Sequence, residues 1–173
     1  MSNFLYLYTN FLEGEAKAAS SLELERALKL FWRKTGLSPE AVLKTEKGKP
    51  YFSSGELYLS VTHSGAFYAV AFASFPIGID AEKKSEVRER IAEKKFTPEE
   101  CLLPFSHVWC GKEAVAKLLG EGLGAVGKVT VSENFALFAG KEYALREFTF
   151  GDTLLMIAAE KGIDYGTETL SEK

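Results

Sequence analysis

The chain has 173 residues, of which 46% are apolar and 26% are charged, a composition typical of one globular domain or of two small halves that share a core. The net charge of −3 gives no overall attraction to nucleic acid, and no apolar run approaches the roughly 20 residues that span a bilayer. The two cysteines, Cys101 and Cys110, have no metal or redox spacing, and the first residues lack the basic flank of a signal peptide. We therefore expect a cytoplasmic protein that binds neither nucleic acid nor membrane.

The first part of the chain predicts a strand followed by a long helix. Residues 4–8 are aromatic and apolar, which favours a strand. Within residues 12–34 the apolar positions recur at three- and four-residue steps, which predicts an amphipathic helix that Gly36 should end. Ser38, which precedes a proline, is a good N-cap and predicts the start of a short second helix.

A basic region follows, and most of it suggests only a solvated surface. Residues 29–49 hold six lysines and arginines against two glutamates. The ordinary interpretation is a solvated helix face and a polar loop. Lys49 differs, because Gly48 and Pro50 on either side predict a turn that would hold its side chain in a defined place.

Residues 57–73 predict a hairpin with polar residues where the chain reverses. Strands are expected over residues 57–61 and 67–73, with a turn over residues 62–65. The turn contains Thr62 and His63, followed by a serine. A lone histidine in a loop is most often a surface residue, but three hydrogen-bonding side chains together could bind a phosphate.

Two segments carry the residues that point to chemistry. Residues 77–82 predict a short buried strand on which Asp80 and Glu82, two positions apart, leave the same face. A helix is predicted over residues 105–119, and on it Glu113 and Lys117 lie one turn apart, nearly opposite the apolar side. These two could be an exposed pair worth about 0.3–0.5 kcal/mol. If the segments instead converge, three carboxylates suit Mg²⁺ and a lysine suits a phosphate.

The rest of the chain predicts a second α+β half. Residues 83–95 suggest a solvated helix, and Thr97, followed by a proline and an acid, suggests another helix start. Strands are expected over four segments, namely residues 128–131, 135–139, 143–150 and 153–159. The polar tail from Lys161 onward is expected to fray. Each half has a long helix and a later strand–turn–strand unit, which suggests a duplication.

Five motifs occur together between residues 48 and 120. They are Gly-Lys-Pro at 48–50, Leu-Ser-Val-Thr-His-Ser-Gly at 59–65, Ile-Gly-Ile-Asp-Ala-Glu at 77–82, Phe-Thr-Pro-Glu-Glu at 96–100 and Trp-Cys-Gly-Lys-Glu-Ala-Val-Ala-Lys at 109–117. In this order they resemble the 4′-phosphopantetheinyl transferases, specifically the longer type that activates surfactin synthetase. Thr62 stands where this family usually has a serine.

The resemblance implies both a fold and a reaction. The fold would be α+β, a pseudo-dimer of two similar halves over residues 1–75 and 76–160, with a polar tail over 161–173. The active site would lie in the cleft between the halves. Such enzymes move the 4′-phosphopantetheine arm of coenzyme A onto a serine of an apo acyl or peptidyl carrier protein and release adenosine 3′,5′-bisphosphate. This activity is that of a holo-[acyl-carrier-protein] synthase (EC 2.7.8.7), here expected to be a monomer.

The resemblance also assigns roles to individual residues. Asp80, Glu82 and Glu113 would hold Mg²⁺, with Mn²⁺ left open as the cation used. Glu113 would also act as the base for the carrier serine. Lys117, assisted by Lys112, would neutralise the pyrophosphate of coenzyme A.

Three further residues would bind the phosphates of the nucleotide, in particular its 3′-phosphate. These are Lys49, Thr62 and His63. Phosphoryl transfer depends mainly on positioning and charge neutralisation, so these roles need no covalent nucleophile.

Two other functions compete with transfer. A different Mg²⁺-dependent phosphate enzyme, such as a nucleotide hydrolase, is disfavoured because the sequence has no P-loop. A non-catalytic module that binds a carrier protein or coenzyme A is the second alternative. Binding alone would not need the full set of carboxylates and lysine.

Overall fold

A computed structural model describes residues 3–171 and shows an α+β protein. The helices are Ala16–Thr35 (α1), Glu89–Lys95 (α2), Phe105–Leu119 (α3) and Leu123–Val126 (α4), and Glu100–Leu102 forms a 3₁₀ turn. The strands are Phe4–Phe11 (β1), Val42–Lys44 (β2), Pro50–Phe52 (β3), Tyr58–Ser64 (β4), Phe67–Ala73 (β5), Ile77–Lys83 (β6), Thr130–Val131 (β7), Phe135–Phe138 (β8), Lys141–Phe150 (β9), Thr153–Glu160 (β10) and Gly166–Leu170 (β11).

Two sheets pack face to face with a helix on the outer side of each. The first sheet has the order β11-β1-β5-β4 and the second β6-β10-β9-β8-β7, while β2 and β3 form a separate hairpin. Alternate residues of β5 and β6, such as Ala71 and Ile79, share one buried core with Ile157 of β10. The remaining faces are covered by α1 on the first sheet and α3 on the second. Strand alternation thus gives each sheet two buried faces.

The predicted long helix is confirmed, although it begins at Ala16 rather than near residue 12. Its buried stripe includes Ala27 and Phe31, and the Phe31 ring stacks on Phe72 of β5 with centroids 4.5 Å apart. Gly36 ends the helix with a φ of 68°, a left-handed conformation that glycine adopts without strain. The helix is therefore fixed by its apolar stripe and by its C-terminal glycine.

Two predictions for the chain outside the main elements are wrong. No helix follows Ser38; residues 36–41 are irregular, and the chain then enters β2, which pairs with β3. The tail does not fray throughout, because β11 (Gly166–Leu170) pairs in parallel with β1 and Leu170 is buried. Strand β1 has an edge that is free to pair with β11, and the buried Leu170 holds β11 in place. The polar composition of the tail gives no indication of either contact. Residues 172–173 of the predicted tail lie outside the described range.

Other predictions are confirmed with shifted bounds. Strand β4 continues through Ser64, so the hairpin reverses at Gly65 rather than from residue 62. The solvated helix is confined to α2, and the helix start predicted at Thr97 leads only to the 3₁₀ turn. The predicted helix α3 and the four later strands are present. Across residues 3–171, no helix is long and apolar enough to cross a bilayer.

Candidate active site

Strand β6 presents its two acids to α3 because its residues alternate between two packed faces. Ile77 and Ile79 face the first sheet, whereas Gly78, Asp80 and Glu82 face the helix. At Gly78 the helix backbone is so close that a Cβ would lie 1.9 Å from the carbonyl oxygen of Ala114. The absence of a side chain at residue 78 therefore lets α3 lie directly on β6.

The close packing brings the predicted residues to one cavity of about 520 Å³. Six of the residues predicted to act at the site line it, namely Thr62, His63, Asp80, Glu82, Glu113 and Lys117. The cavity lies where strands β4 and β6, one from each sheet, meet helix α3. The convergence that the sequence predicted for the acidic strand and the helix over residues 105–119 is thus present.

Three hydroxyl groups of β4 join the first sheet to β6. The Ser60 hydroxyl accepts a hydrogen bond from the Ile79 amide at 3.0 Å, and the Thr62 hydroxyl accepts one from the Ala81 amide at 3.1 Å. Further along, Ser64 donates to a Glu82 carboxylate oxygen at 3.3 Å. The hydroxyls of Ser60 and Thr62 thus accept hydrogen bonds from backbone amides on the free edge of β6, where no neighbouring strand provides carbonyl groups. They recur at every second residue because β4 remains a strand through Ser64.

The hydroxyl of Thr62 is engaged on both sides. Besides accepting from Ala81, it donates to Oδ1 of Asp80 at 3.2 Å, and the residue is 3% exposed. A hydroxyl has a single proton to donate, so this proton orients the Asp80 carboxylate and is not free for a phosphate. The structure thus places the Thr62 hydroxyl between the Asp80 carboxylate and the Ala81 amide.

We expect substitution of Thr62 by valine to cost about 1–3 kcal/mol of unfolding free energy. Valine keeps the shape but leaves the Ala81 amide without its hydrogen-bond partner, while Oδ1 of Asp80 keeps only the hydrogen bond from Lys117. Thr62→Ser retains the hydroxyl and should lose less than half as much. Urea denaturation of both variants measures the difference, and equal losses would show that the methyl group, not the hydroxyl, matters at this position.

Lys117 pairs across elements rather than along its own helix. Its ammonium donates to Oδ1 of Asp80 at 2.7 Å and lies 3.4 Å from the carbonyl oxygen of Val61. The pair is partly buried, so it is screened less than a surface pair. The alternative of an isolated, exposed pair between Glu113 and Lys117 therefore does not describe this site.

The carboxyl of Glu113 resists ionisation. Its pKa is raised to about 7, first by burial and then by the negative charge of Asp80, with a smaller contribution from Glu82; Lys117 and Arg88 oppose the shift. Burial also raises the pKa of Glu82, and Asp80 again contributes. The carboxyl groups of Asp80, Glu82 and Glu113 thus lie close to one another, and the positive charges of Lys117 and Arg88 do not fully offset the effect of burial and mutual repulsion on the pKa of Glu113. Such raised pKa values are typical of functional sites.

This donor set fits a hard divalent cation. The three groups offer only oxygen ligands, which Mg²⁺ and Mn²⁺ prefer, and a cation would relieve the repulsion that raises the pKa of Glu113. Within residues 3–171, no three acidic, histidine or cysteine side chains already stand in a closed metal-binding arrangement.

Arg88, which the sequence did not single out, also lines the cavity. Its guanidinium forms an ion pair with Glu82 and lies over the rings of Trp109 and Phe105, at 5.2 and 5.4 Å from their centroids. Its Nε is buried and hydrogen-bonds to no atom of the described residues. Phe105 and Trp109 lie one turn apart on α3, a spacing that favours stacking of a cationic side chain on both rings. Their partner could not be predicted because Arg88 lies in an irregular segment.

Lys112 lies in the core and not at the cavity. It is 1% exposed and pairs with the fully buried Glu100 at 2.8 Å, and it also donates to the carbonyl of Val129. Its predicted contact with coenzyme A does not fit this placement, which instead ties α3 to the 3₁₀ turn and to the start of β7. The helical periodicity of the sequence indicates this placement, because Lys112 falls between Val108 and Val115 on the apolar side of the helix.

His63 lines the cavity that holds Glu113, whereas Lys49 lines the two other cavities, of about 230 and 500 Å³. The Lys49 ammonium donates to the carbonyl oxygen of Leu118 at 2.6 Å, near the C-terminus of α3, and burial lowers its pKa. His63 lines the cavity but is largely exposed; desolvation and then the charges of Lys117 and Lys17 lower its pKa.

Comparison with known proteins agrees with this arrangement. Residues 76–153, which include Asp80, Glu82, Glu113 and Lys117, match the profile of the 4′-phosphopantetheinyl transferase superfamily. The family resemblance is confirmed. The chain is similar to the 4′-phosphopantetheinyl transferase of Bacillus subtilis, at 34% identity over 51% of this chain and 46% of that protein.

Two further relatives give the same result. The 4′-phosphopantetheinyl transferase Sfp of Bacillus subtilis strain 168 is 36% identical over 45% of this chain and 40% of its own length. The 4′-phosphopantetheinyl transferase gsp of Aneurinibacillus migulanus is 31% identical over 46% of this chain and 38% of its own length. The match therefore spans less than half the length of each of these curated relatives.

Proposed function

We propose that this protein transfers the 4′-phosphopantetheine arm of coenzyme A to a serine of an apo acyl or peptidyl carrier protein, as a holo-[acyl-carrier-protein] synthase. The observation that carries the proposal is the convergence of Asp80, Glu82, Glu113 and Lys117 on one cavity, within the segment that matches the superfamily. Carboxylates and a lysine in one cleft suit phosphoryl transfer, in which charge neutralisation supplies most of the rate enhancement.

The residues divide the work by position. Glu113, whose pKa of about 7 is suited to proton transfer near neutral pH, would accept the proton of the attacking serine hydroxyl. Lys117 would neutralise charge on the pyrophosphate and on the leaving phosphate. Asp80, Glu82 and Glu113 would hold Mg²⁺ or Mn²⁺, which supplies Lewis-acid stabilisation of the phosphate oxygens when bound. Thr62 and Arg88 would orient Asp80 and Glu82.

The shape of the site supports an elongated donor. The cavity at Glu113 adjoins a second of about 230 Å³, with Gly48, Pro50, Val61 and Lys117 common to both linings. A third cavity of about 500 Å³ shares Lys49 with the second and is bordered by aromatic residues of β3 and β4. A nucleotide with a long arm, such as coenzyme A, would fill such a groove. Lys49 and His63 would contact its phosphates.

The proposal extends to the organisation of the chain. The two sheets, each covered by one long helix, support the pseudo-dimer with halves over residues 1–75 and 76–160, although β11 adds a strand from the tail to the first sheet. The site would be the cleft between the halves. We propose a monomer that works in a reducing cytoplasm, which suits the two free cysteines.

The test is transfer onto apo carrier proteins. The protein is incubated with coenzyme A, Mg²⁺ and a panel of apo carriers from fatty-acid, polyketide and peptide pathways, and each carrier is weighed by mass spectrometry. We expect at least one carrier to gain the mass of one phosphopantetheine group, with adenosine 3′,5′-bisphosphate released, and no gain in EDTA. Binding of coenzyme A without mass gain on any carrier would favour a non-catalytic binding module instead.

A further inference from the structure

The side chain of Arg88 is held at the cavity although one of its donors has no acceptor. Its guanidinium lies over the rings of Phe105 and Trp109 and forms an ion pair with Glu82. The Nε–H is buried and has no hydrogen-bond acceptor within residues 3–171. A buried N–H without an acceptor is rare in folded proteins, so this arrangement leaves Arg88 incompletely paired.

Both carboxylate oxygens of Glu82 are already engaged. Ser64 donates to Oε1, and Arg88 donates to Oε2. Burial raises the pKa of Glu82, and the charge of Arg88 opposes that shift. A guanidinium and a divalent cation both bind carboxylate oxygens, and their like charges repel each other. Arg88 and a cation would therefore compete for Glu82.

Arg88 can separate from Glu82 and still remain at the cavity. Cation–π attraction to the two aromatic rings of α3 does not depend on Glu82. Arg88 ends the irregular segment 84–88, and it lines the same cavity as Lys117. A guanidinium offers several N–H donors in a planar fork that matches the oxygens of a phosphate. Once released, Arg88 would thus suit a phosphate group in this cavity.

We propose that Glu82 exchanges Arg88 for a divalent cation, and that the released guanidinium then binds a phosphate group of the nucleotide. The inference rests on the proposed function for the identity of the nucleotide, coenzyme A, but not for the exchange. Before the exchange, Arg88 orients the Glu82 carboxylate. Cation and nucleotide bind cooperatively, because the exchange that admits the cation also frees a group that binds the nucleotide.

The first test measures the affinity for Mn²⁺ without nucleotide. Titrations followed by electron paramagnetic resonance at pH 8 compare the wild type with Arg88→Met, which keeps an unbranched apolar side chain but removes the charge. We expect Arg88→Met to bind Mn²⁺ at least about fivefold more tightly, because no guanidinium competes for Glu82. Arg88→Lys keeps a positive charge and should stay closer to the wild type. Arg90→Met makes the same change in net charge at an exposed position and should leave the affinity unaltered.

The second test measures the affinity for coenzyme A by calorimetry, with and without the cation. In saturating Mg²⁺, Arg88→Met should bind coenzyme A about tenfold more weakly than the wild type, because a charged hydrogen bond to phosphate is lost. In EDTA the two proteins should bind coenzyme A equally, because Arg88 is then paired with Glu82. Arg90→Met should match the wild type under both conditions.

The two tests give outcomes that contradict the proposal. Unchanged or weaker Mn²⁺ binding by Arg88→Met would overturn it, because Arg88 would then not give way to the cation. An equal loss of coenzyme A affinity in Mg²⁺ and in EDTA would also overturn it, because the effect of Arg88 would not depend on the exchange. If coenzyme A does not bind at all, the proposed function fails, and the Mn²⁺ titration still decides whether Arg88 competes for Glu82.

Discussion

Replacing Glu113 by glutamine should reduce the rate of transfer to an apo carrier by about 10²–10⁴-fold while the protein remains folded. Glutamine keeps the size of the side chain and its hydrogen-bonding groups, but it can neither accept a proton nor supply negative charge to a cation. Single-turnover measurements with saturating coenzyme A and carrier would give the rate. Glu133→Gln, on the exposed turn before β8, is the matched control and should keep full activity. A rate within about threefold of the wild type would remove Glu113 from the chemistry.

The same substitution should make the metal-free protein more stable above neutral pH. The pKa of Glu113 is about 7 in the folded protein against an ordinary value of 4.5, so its contribution to stability is complete below pH 4.5 and is lost as the pH rises through 7. Ionising this partly buried carboxyl at pH 8 would cost roughly 1–3 kcal/mol, and Glu113→Gln avoids that cost.

Urea denaturation in EDTA at pH 4 and pH 8 measures this difference. We expect the unfolding free energy of the variant to exceed that of the wild type at pH 8, and the advantage to disappear at pH 4. An advantage of equal size at both values would mean that packing, and not ionisation, separates the two proteins. Adding Mg²⁺ at pH 8 should stabilise the wild type more than the variant, because a bound cation offsets the charge of the carboxylates.

Replacing Gly78 by alanine should destabilise the protein by about 3 kcal/mol or more, the largest effect on stability that we expect. The new Cβ would lie 1.9 Å from the Ala114 carbonyl oxygen and 2.5 Å from the Leu118 amide nitrogen, both backbone atoms of α3. Because backbone cannot rotate away, the helix itself must move, and overpacking of this kind costs more than filling a flexible space. The displacement would also carry Glu113 away from Asp80.

Gly14→Ala provides the matched control. Gly14 has an ordinary φ, and no atom lies within 4 Å of the position of its added Cβ, so this substitution should change stability by less than about 0.5 kcal/mol. Denaturation midpoints of the two variants give the comparison. If Gly78→Ala has the midpoint of the control, α3 does not lie on β6 as closely as the structure shows.

Local periodicity was enough to predict the elements that carry the site. Alternation along β6 correctly put Asp80 and Glu82 on one face, and the three- and four-residue steps of α3 correctly separated Glu113 and Lys117 from its apolar side. These patterns depend only on backbone geometry, which the nearest residues determine. The same steps place Lys112 on the apolar side of α3, between Val108 and Val115, where it is buried.

The sequence by itself determined the α+β class, the long helices, the acidic strand and the family resemblance. Only the tertiary structure decided how the charges pair: Lys117 with Asp80, Arg88 with Glu82, and the Thr62 hydroxyl between two elements. The reason is that periodicity tells which face of an element a side chain occupies, whereas its partner depends on which distant element packs on that face. Here Gly78, which has no side chain, allows helix α3 to pack directly on strand β6, and this packing determines which charged side chains meet.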